Sequence, residues 1–258
     1  MTITVEKQGP VAIVTLNRPE TKNAITQEMR GQLYGAFEDI AMDHDVRAVI
    51  LTGAGGDFCS GMDVTGMGKG GVTGSMDRMY TLNRIAKAIY SLKKPTIAAV
   101  PGVCVGVGFS YALACDIVLA ARSASFIQSF ARVGLVPDSG GTWFLPRLVG
   151  DARARGLAFL AEPLPAEKAE QWGLIWKCVD DAALAGEAQK LCQHFAAAPT
   201  QGLALIKRAL NASSANTLDA QLDLERDSQR AASLTPDYAE GVRAFMEKRK
   251  PIFSGRKK

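Results

Sequence analysis

A chain of 258 residues, 47% of them hydrophobic, is long enough to bury a sizeable core, in one large domain or one domain with an appendage, and disorder over most of its length is excluded. Its 30 basic and 26 acidic residues nearly balance, with the surplus at the end in Lys248, Arg249, Lys250, Arg256, Lys257 and Lys258; no aromatic-interleaved basic stripe marks nucleic acid as a partner. Five cysteines without a CxxC pair, and two histidines far apart at His44 and His194, argue against a disulfide framework, a zinc site or a histidine triad.

The first residues enter an alternating strand pattern directly, without a charged-then-apolar leader, and no run of about eighteen apolar residues follows, so the cytoplasm is the expected compartment. Residues 11–17 read as a buried strand closed by Arg18-Pro19-Glu20. Thr26 is placed to cap a helix over 27–40, with Met29, Leu33, Ala36, Phe37 and Ile40 recurring at helical spacing. A second strand spans 47–53. Residues 61–75 carry glycines at 66, 68, 70, 71 and 74, which predicts a mobile loop able to cover a pocket, with Met62, Met67, Met76 and Met79 as an adaptable lining. A helix is expected from 76 to about 91, then strands at 96–100, 116–121 and 125–127, with residues 102–108 leading into another helix.

Strand signals stop near residue 185, and amphipathic segments follow at 187–198, 200–212, 217–232 and 236–248. The expected organisation is an α/β core over 1–185, with crossover helices covering parallel strands, and a helical region over 186–258.

Two glycine-bracketed turns carry the chemistry. Phe58-Cys59-Ser60-Gly61-Met62-Asp63 follows one strand, and Pro101-Gly102-Val103-Cys104-Val105-Gly106-Val107-Gly108-Phe109 follows another. Each exposes main-chain N–H groups, the second at a helix start where aligned peptide dipoles favour negative charge, so together they can form an oxyanion hole. The second turn has neither the full dinucleotide fingerprint nor the Lys-Ser/Thr of a phosphate loop.

A third segment, Gly134-Leu135-Val136-Pro137-Asp138-Ser139-Gly140-Gly141-Thr142-Trp143, followed by Leu145-Pro146-Arg147, makes the set specific. In order and spacing the three segments resemble the crotonase (enoyl-CoA hydratase/isomerase) superfamily over nearly the whole chain. Residues 136–143 and Gln221-Leu222-Asp223-Leu224-Glu225-Arg226-Asp227 resemble its 1,2-epoxyphenylacetyl-CoA isomerase group.

The resemblance implies a spiral of repeated strand-strand-helix units with a C-terminal helical oligomerisation region. It also implies that the N–H groups of Met62 and Val107, bracketed by Gly61, Gly106 and Gly108, hold the oxygen of an acyl-CoA thioester. Val107 stands where hydratases commonly have glycine, and its branched side chain narrows the acyl pocket. Similar hydratases carry two glutamates at the positions of Ser110 and Phe130 here, neither of which can serve as a carboxylate. Asp138 is then the acid/base, as in the family's isomerases. Arg147 and Asp116 read as structural, and Asp63 as a turn acceptor beside the substrate.

Coenzyme A contacts are expected from Lys22, Ala24 and the segment after Gly61, and from Lys248 and Phe253 of a neighbouring subunit in a trimer or hexamer. Coenzyme A enters as part of the substrate, and no separate cofactor or metal is expected. The implied activity is isomerisation of an unsaturated or epoxidised acyl-CoA. The alternatives are an enoyl-CoA hydratase with atypical residues, and a non-catalytic binder of acyl-CoA or RNA.

Overall fold

A computed structural model describes residues 1–66 and 71–255 of the chain. The alternating start forms β1 (Ile3–Gln8), which turns at Gly9 and pairs antiparallel with β2 (Val11–Leu16). Thr26 caps α1 (Gln27–Met42), its side chain accepting from the Met29 N–H, and the apolar stripe of α1 is buried. The chain then runs through β3 (Ala48–Gly53), α2 (Gly71–Ser91), β4 (Thr96–Val100), β5 (Val103–Val105), α3 (Val107–Ala114), β6 (Ile117–Ala121) and β7 (Ser125–Ile127). After α4 (Gly141–Val149) and α5 (Asp151–Leu160) come β8 (Leu164–Pro165), α6 (Ala166–Gln171) and β9 (Lys177–Val179). Four helices finish it: α7 (Leu184–Ala197), α8 (Thr200–Ser213), α9 (Leu218–Ser233) and α10 (Pro236–Met246).

Two sheets result. The larger has six strands in the order β1-β2-β3-β4-β6-β9, parallel from β2 onward, and the smaller has the order β5-β7-β8. Successive strands alternate between them: β4 joins the large sheet and β5 the small one before α3, then β6 and β7 repeat the step before α4. This is the expected strand-strand-helix repeat. β3 and β4 are buried along most of their length because helices cover them, α7 packing on β3, β4 and β6, so they read as apolar runs rather than alternations.

One expectation is corrected. Residues 71–75 belong to α2 and not to a loop, so the helix starts five residues before the expected position 76. Glycine lowers helix propensity by only about 1 kcal/mol per residue, and the later turns of α2 bury Leu82, Ile85, Ala86 and Ile89, enough to carry a weak first turn. Met76 is exposed and Met79 packs on the core, so the two do not form one common lining, while Met67 lies outside the described residues. Among the described residues all cysteines are free thiols, and no helix is long and apolar enough to cross a membrane.

A buried asparagine ties the first loop to the core. Asn23, at φ 59°, accepts from the Arg18 N–H at 2.8 Å and donates to the carbonyls of Ala54 at 2.9 Å and Asp57 at 2.7 Å. Asp57 in turn accepts from the Val103 N–H at 2.9 Å, which links the loop after β3 to the start of β5. Replacing Asn23 with Ala should leave three buried backbone groups unpaired and lower unfolding stability by about 3 kcal/mol in a denaturant titration.

Candidate active site

The two turns are stitched edge to edge. The N–H groups of Phe58 and Cys59 donate to the Val103 carbonyl at 3.1 and 3.0 Å, and the Val105 N–H donates to the Cys59 carbonyl at 2.8 Å. On the other edge the Ile25 N–H donates to the Gly61 carbonyl at 2.8 Å, and the Asp63 N–H donates to the Ile25 carbonyl at 3.0 Å. In such a parallel bridge the residue between the two partners directs its own N–H away from the pairing edge. That residue is Met62.

In the second turn the Gly106 N–H donates to the Ile127 carbonyl at 2.9 Å, and Gly106 adopts φ 54°, ψ −119°, a conformation open to glycine. Val107 follows as the first residue of α3, where an N–H has no partner within the helix. Among the described residues, neither the Met62 nor the Val107 N–H has an acceptor.

The turns approach so closely that a Cβ on Gly108 would lie 2.5 Å from the Cys59 Cβ and 2.7 Å from its Sγ. Gly61, at φ 104°, faces Val105 in the same way, with ordinary contact distances. The glycines that drew attention to these segments therefore serve close backbone approach. A ring covers the second turn as well: a Cβ on Gly106 would touch Phe130 at 3.7 Å, so an apolar side chain stands over the start of α3.

Asp138 precedes a short passage of left-handed backbone, Ser139 at φ 53° and Gly140 at φ 88°, before α4 begins. Its carbonyl is held by the Ser110 hydroxyl at 2.9 Å and by the Gly141 N–H at 2.8 Å. Ser110 is therefore occupied in positioning the Asp138 backbone. The carboxylate has no such support: Oδ1 is buried without a hydrogen-bond partner among the described residues, and so is the Ser139 hydroxyl. Burial pushes the Asp138 carboxyl up to about 6, with the neighbouring Ser139 side chain opposing only part of the rise. Tyr111, buried on α3, is close enough to feel the Asp138 charge, which with burial raises its phenol well above the usual range.

The remaining expected contacts divide. Lys22 is exposed at φ 52° and reaches Asp57 at 3.5 Å, and Ala24 offers its carbonyl to Arg18 at 2.9 Å. Asp63 accepts from the N–H and hydroxyl of Thr65 and pairs with Arg18 at 3.1 Å, which together hold its carboxyl below the usual range. Lys248 and Phe253 lie at the C-terminal end, where Arg47 donates to the Phe253 carbonyl at 2.9 Å. Neither lines the cavity that contains Met62. That cavity, about 670 Å³ between α1 and α2, is bounded by Ile25, Met62, Asp63, Arg78 and Thr81, and also by Arg30. Arg30 is not among the residues expected at the site, because its burial on α1 arises only when the helices are assembled.

Residues 6–256 match the family described as Enoyl-CoA hydratase/isomerase. The chain belongs to the enoyl-CoA hydratase/isomerase family. It is 49% identical to a 1,2-epoxyphenylacetyl-CoA isomerase of Escherichia coli (strain K12), the match covering 95% of each chain. It is 43% identical to a probable enoyl-CoA hydratase of Rhodobacter capsulatus, over 99% of this chain and 98% of that one. Among solved structures, an enoyl-CoA hydratase from Polaromonas sp. JS666 superposes with a TM-score of 0.94 at 33% identity, covering 97% of this chain and 99% of that one. These likenesses establish the crotonase fold that the three segments implied.

The raised Asp138 has a measurable consequence for folding. A carboxyl that ionises near 3.8 when unfolded and near 6 when folded favours the fold below about pH 4, and that advantage is lost as pH rises to about 6. At pH 7 the ionised group then costs on the order of 3 kcal/mol. Asp138→Asn should therefore be more stable than the wild-type chain at pH 7 and nearly equal to it at pH 4; a constant difference between the two pH values would show that the carboxyl is not desolvated.

Proposed function

We propose that this chain is an acyl-CoA isomerase in which Asp138 carries a proton between two carbons while the N–H groups of Met62 and Val107 hold the thioester oxygen. The observation that supports this reading is the isolation of Asp138. Asp138 is half-buried with its Oδ1 shielded and unpaired and its pKa raised to about 6, and the positions where hydratases place two glutamates hold a serine committed to a backbone carbonyl and a buried phenylalanine.

For a 3-enoyl-CoA, ionised Asp138 removes a proton from the carbon next to the thioester. The released electron pair delocalises through the carbonyl and the neighbouring double bond, and the charge gathers on the thioester oxygen. The two N–H groups stabilise it there, each donor of this kind lowering the barrier by about 3 kcal/mol. Protonated Asp138 then returns the same proton two carbons further along, giving the 2-enoyl-CoA and restoring the carboxylate. A group ionising near 6 is mostly a base at pH 7, yet its acid is strong enough to give the proton back. Hydration would require a second group to activate water, a task for which Ser110, held on the Asp138 carbonyl, and Phe130 are unsuited.

An epoxidised substrate such as 1,2-epoxyphenylacetyl-CoA, which appears in the name of the Escherichia coli relative, fits the same placement of donors and base. The hydratase reading draws on the name of the Rhodobacter capsulatus relative. A purely binding role, toward acyl-CoA or RNA, would leave the raised carboxyl without a use. We place the enzyme in the cytoplasm, with coenzyme A entering only as part of the substrate.

Asp138→Asn should lower kcat on 3-hexenoyl-CoA by at least about 1000-fold with acyl-CoA binding retained, and the wild-type kcat/KM should fall tenfold per pH unit below about 6. Mass spectrometry with crotonyl-CoA separates the alternatives, since rapid formation of 3-hydroxybutanoyl-CoA would overturn the isomerase reading.

A homo-oligomer, trimer or hexamer, completes the proposal. Ile206, Leu210, Leu222, Leu234, Phe245 and Ile252 all lie exposed on or beyond α8–α10, more apolar surface than a lone chain usually leaves in water. Light scattering should give three or six times the mass of one chain, and a stable active monomer would refute this.

A further inference from the structure

Arg30 is out of place by every local rule. It lies on the buried face of α1 at 8% exposure, among Met29, Leu33 and Phe37. Its N–H donates to the Thr26 carbonyl, so it stands in the first turn, where the helix dipole disfavours a cation. Its Nε is buried without a hydrogen-bond partner, and among the described residues the guanidinium makes no ion pair. A second cation, Arg78 of α2, is near enough to work with burial in disfavouring its charge. A guanidinium nevertheless remains charged in a protein, so an uncompensated one is held at a loss of stability.

The cavity that Arg30 lines gives the loss a purpose. Met62 bounds the same space, which places Arg30 in the space next to the thioester site. Tyr111 of α3 interacts electrostatically with both Arg30 and Asp138, although neither Tyr111 nor Asp138 lines this cavity. Of the two carboxylates lining the cavity, Asp63 is taken by Arg18, and Asp77 is exposed and pairs with neither arginine. Among the described residues no carboxylate pairs with Arg30, which leaves the guanidinium open to an anionic group of a ligand.

From this geometry we infer that Arg30 is a specificity-determining residue that selects acyl groups ending in a carboxylate. The proposal rests on the acyl-CoA reading of the Met62 site and deepens it. A planar guanidinium meets a carboxylate through two parallel N–H···O bonds, whereas an alkyl end would leave the buried charge unpaired.

The test is calorimetric binding of saturated esters in matched pairs, succinyl- through suberoyl-CoA against butanoyl- through octanoyl-CoA, with free coenzyme A as reference. At the chain length that spans the cavity, the wild type should bind the carboxylated ester on the order of 100-fold more tightly than its alkyl partner. Arg30→Leu should abolish that preference, Arg30→Lys should restore part of it, and Arg30→Leu should melt at a higher temperature because an unpaired buried charge is gone.

No preference at any length in the wild type overturns the proposal, and that measurement does not depend on a variant folding. It is equally overturned if Arg30→Leu weakens free coenzyme A as much as it weakens the carboxylated ester, because the anion would then be a coenzyme phosphate. Saturated esters need no proton transfer, so these results stand apart from the isomerase reading, which turnover by Asp138 decides.

Discussion

The site depends on one steric constraint, the absence of a side chain at Gly108. The first turn of α3 lies so near Cys59 that a single carbon added there would overlap it. Because the two turns touch at this point, their relative placement is set by atomic contact and not by side-chain torsions that could relax. The hydrogen bonds around Val103, Cys59 and Ile25 then consume the neighbouring backbone groups one by one. What is left over, at Met62 and Val107, is a pair of N–H groups without acceptors among the described residues, held in position by the paired backbone around them.

Against this rigid backbone two charged side chains stand under tension. Asp138 precedes two residues with positive φ, one of them the non-glycine Ser139, and its Oδ1 is buried without a partner among the described residues. Arg30 is buried unpaired at the wrong end of a helix. Such departures cost stability and persist where the surrounding structure over-determines them, which is the common condition of functional sites. The cost falls on two side chains of opposite charge, both of which interact electrostatically with Tyr111.

Much of this was legible in the sequence. Thr26 and the Met29-to-Ile40 spacing predicted α1 and its cap, and the apolar runs predicted β2, β3, β4 and β6 to within a residue or so. The four C-terminal helices followed from amphipathic spacing. Other elements left no periodic trace: β5, β8 and β9 have two or three residues each, too few to show a period, and exist because neighbouring strands offer them partners. The first turn of α2 was hidden by glycines whose weak propensity tertiary contacts override. Arg30 was visible as a residue but not as an anomaly, since burial and the lack of a partner are properties of the assembled helices α1 and α2. The raised pKa of Asp138 likewise comes from its burial in the assembled fold, which composition does not encode.

The position of Val107 at the head of α3 has a consequence for experiment. A main-chain donor is ordinarily invisible to mutagenesis, because exchanging the side chain leaves the amide in place. The first residue of a helix is the exception, for proline is welcome there and lacks only the hydrogen. The preceding residue is a glycine, which suffers least from a following pyrrolidine ring. Subtraction of a single amide proton from this enzyme is thus within reach of the genetic code, with no chemical synthesis of the backbone required.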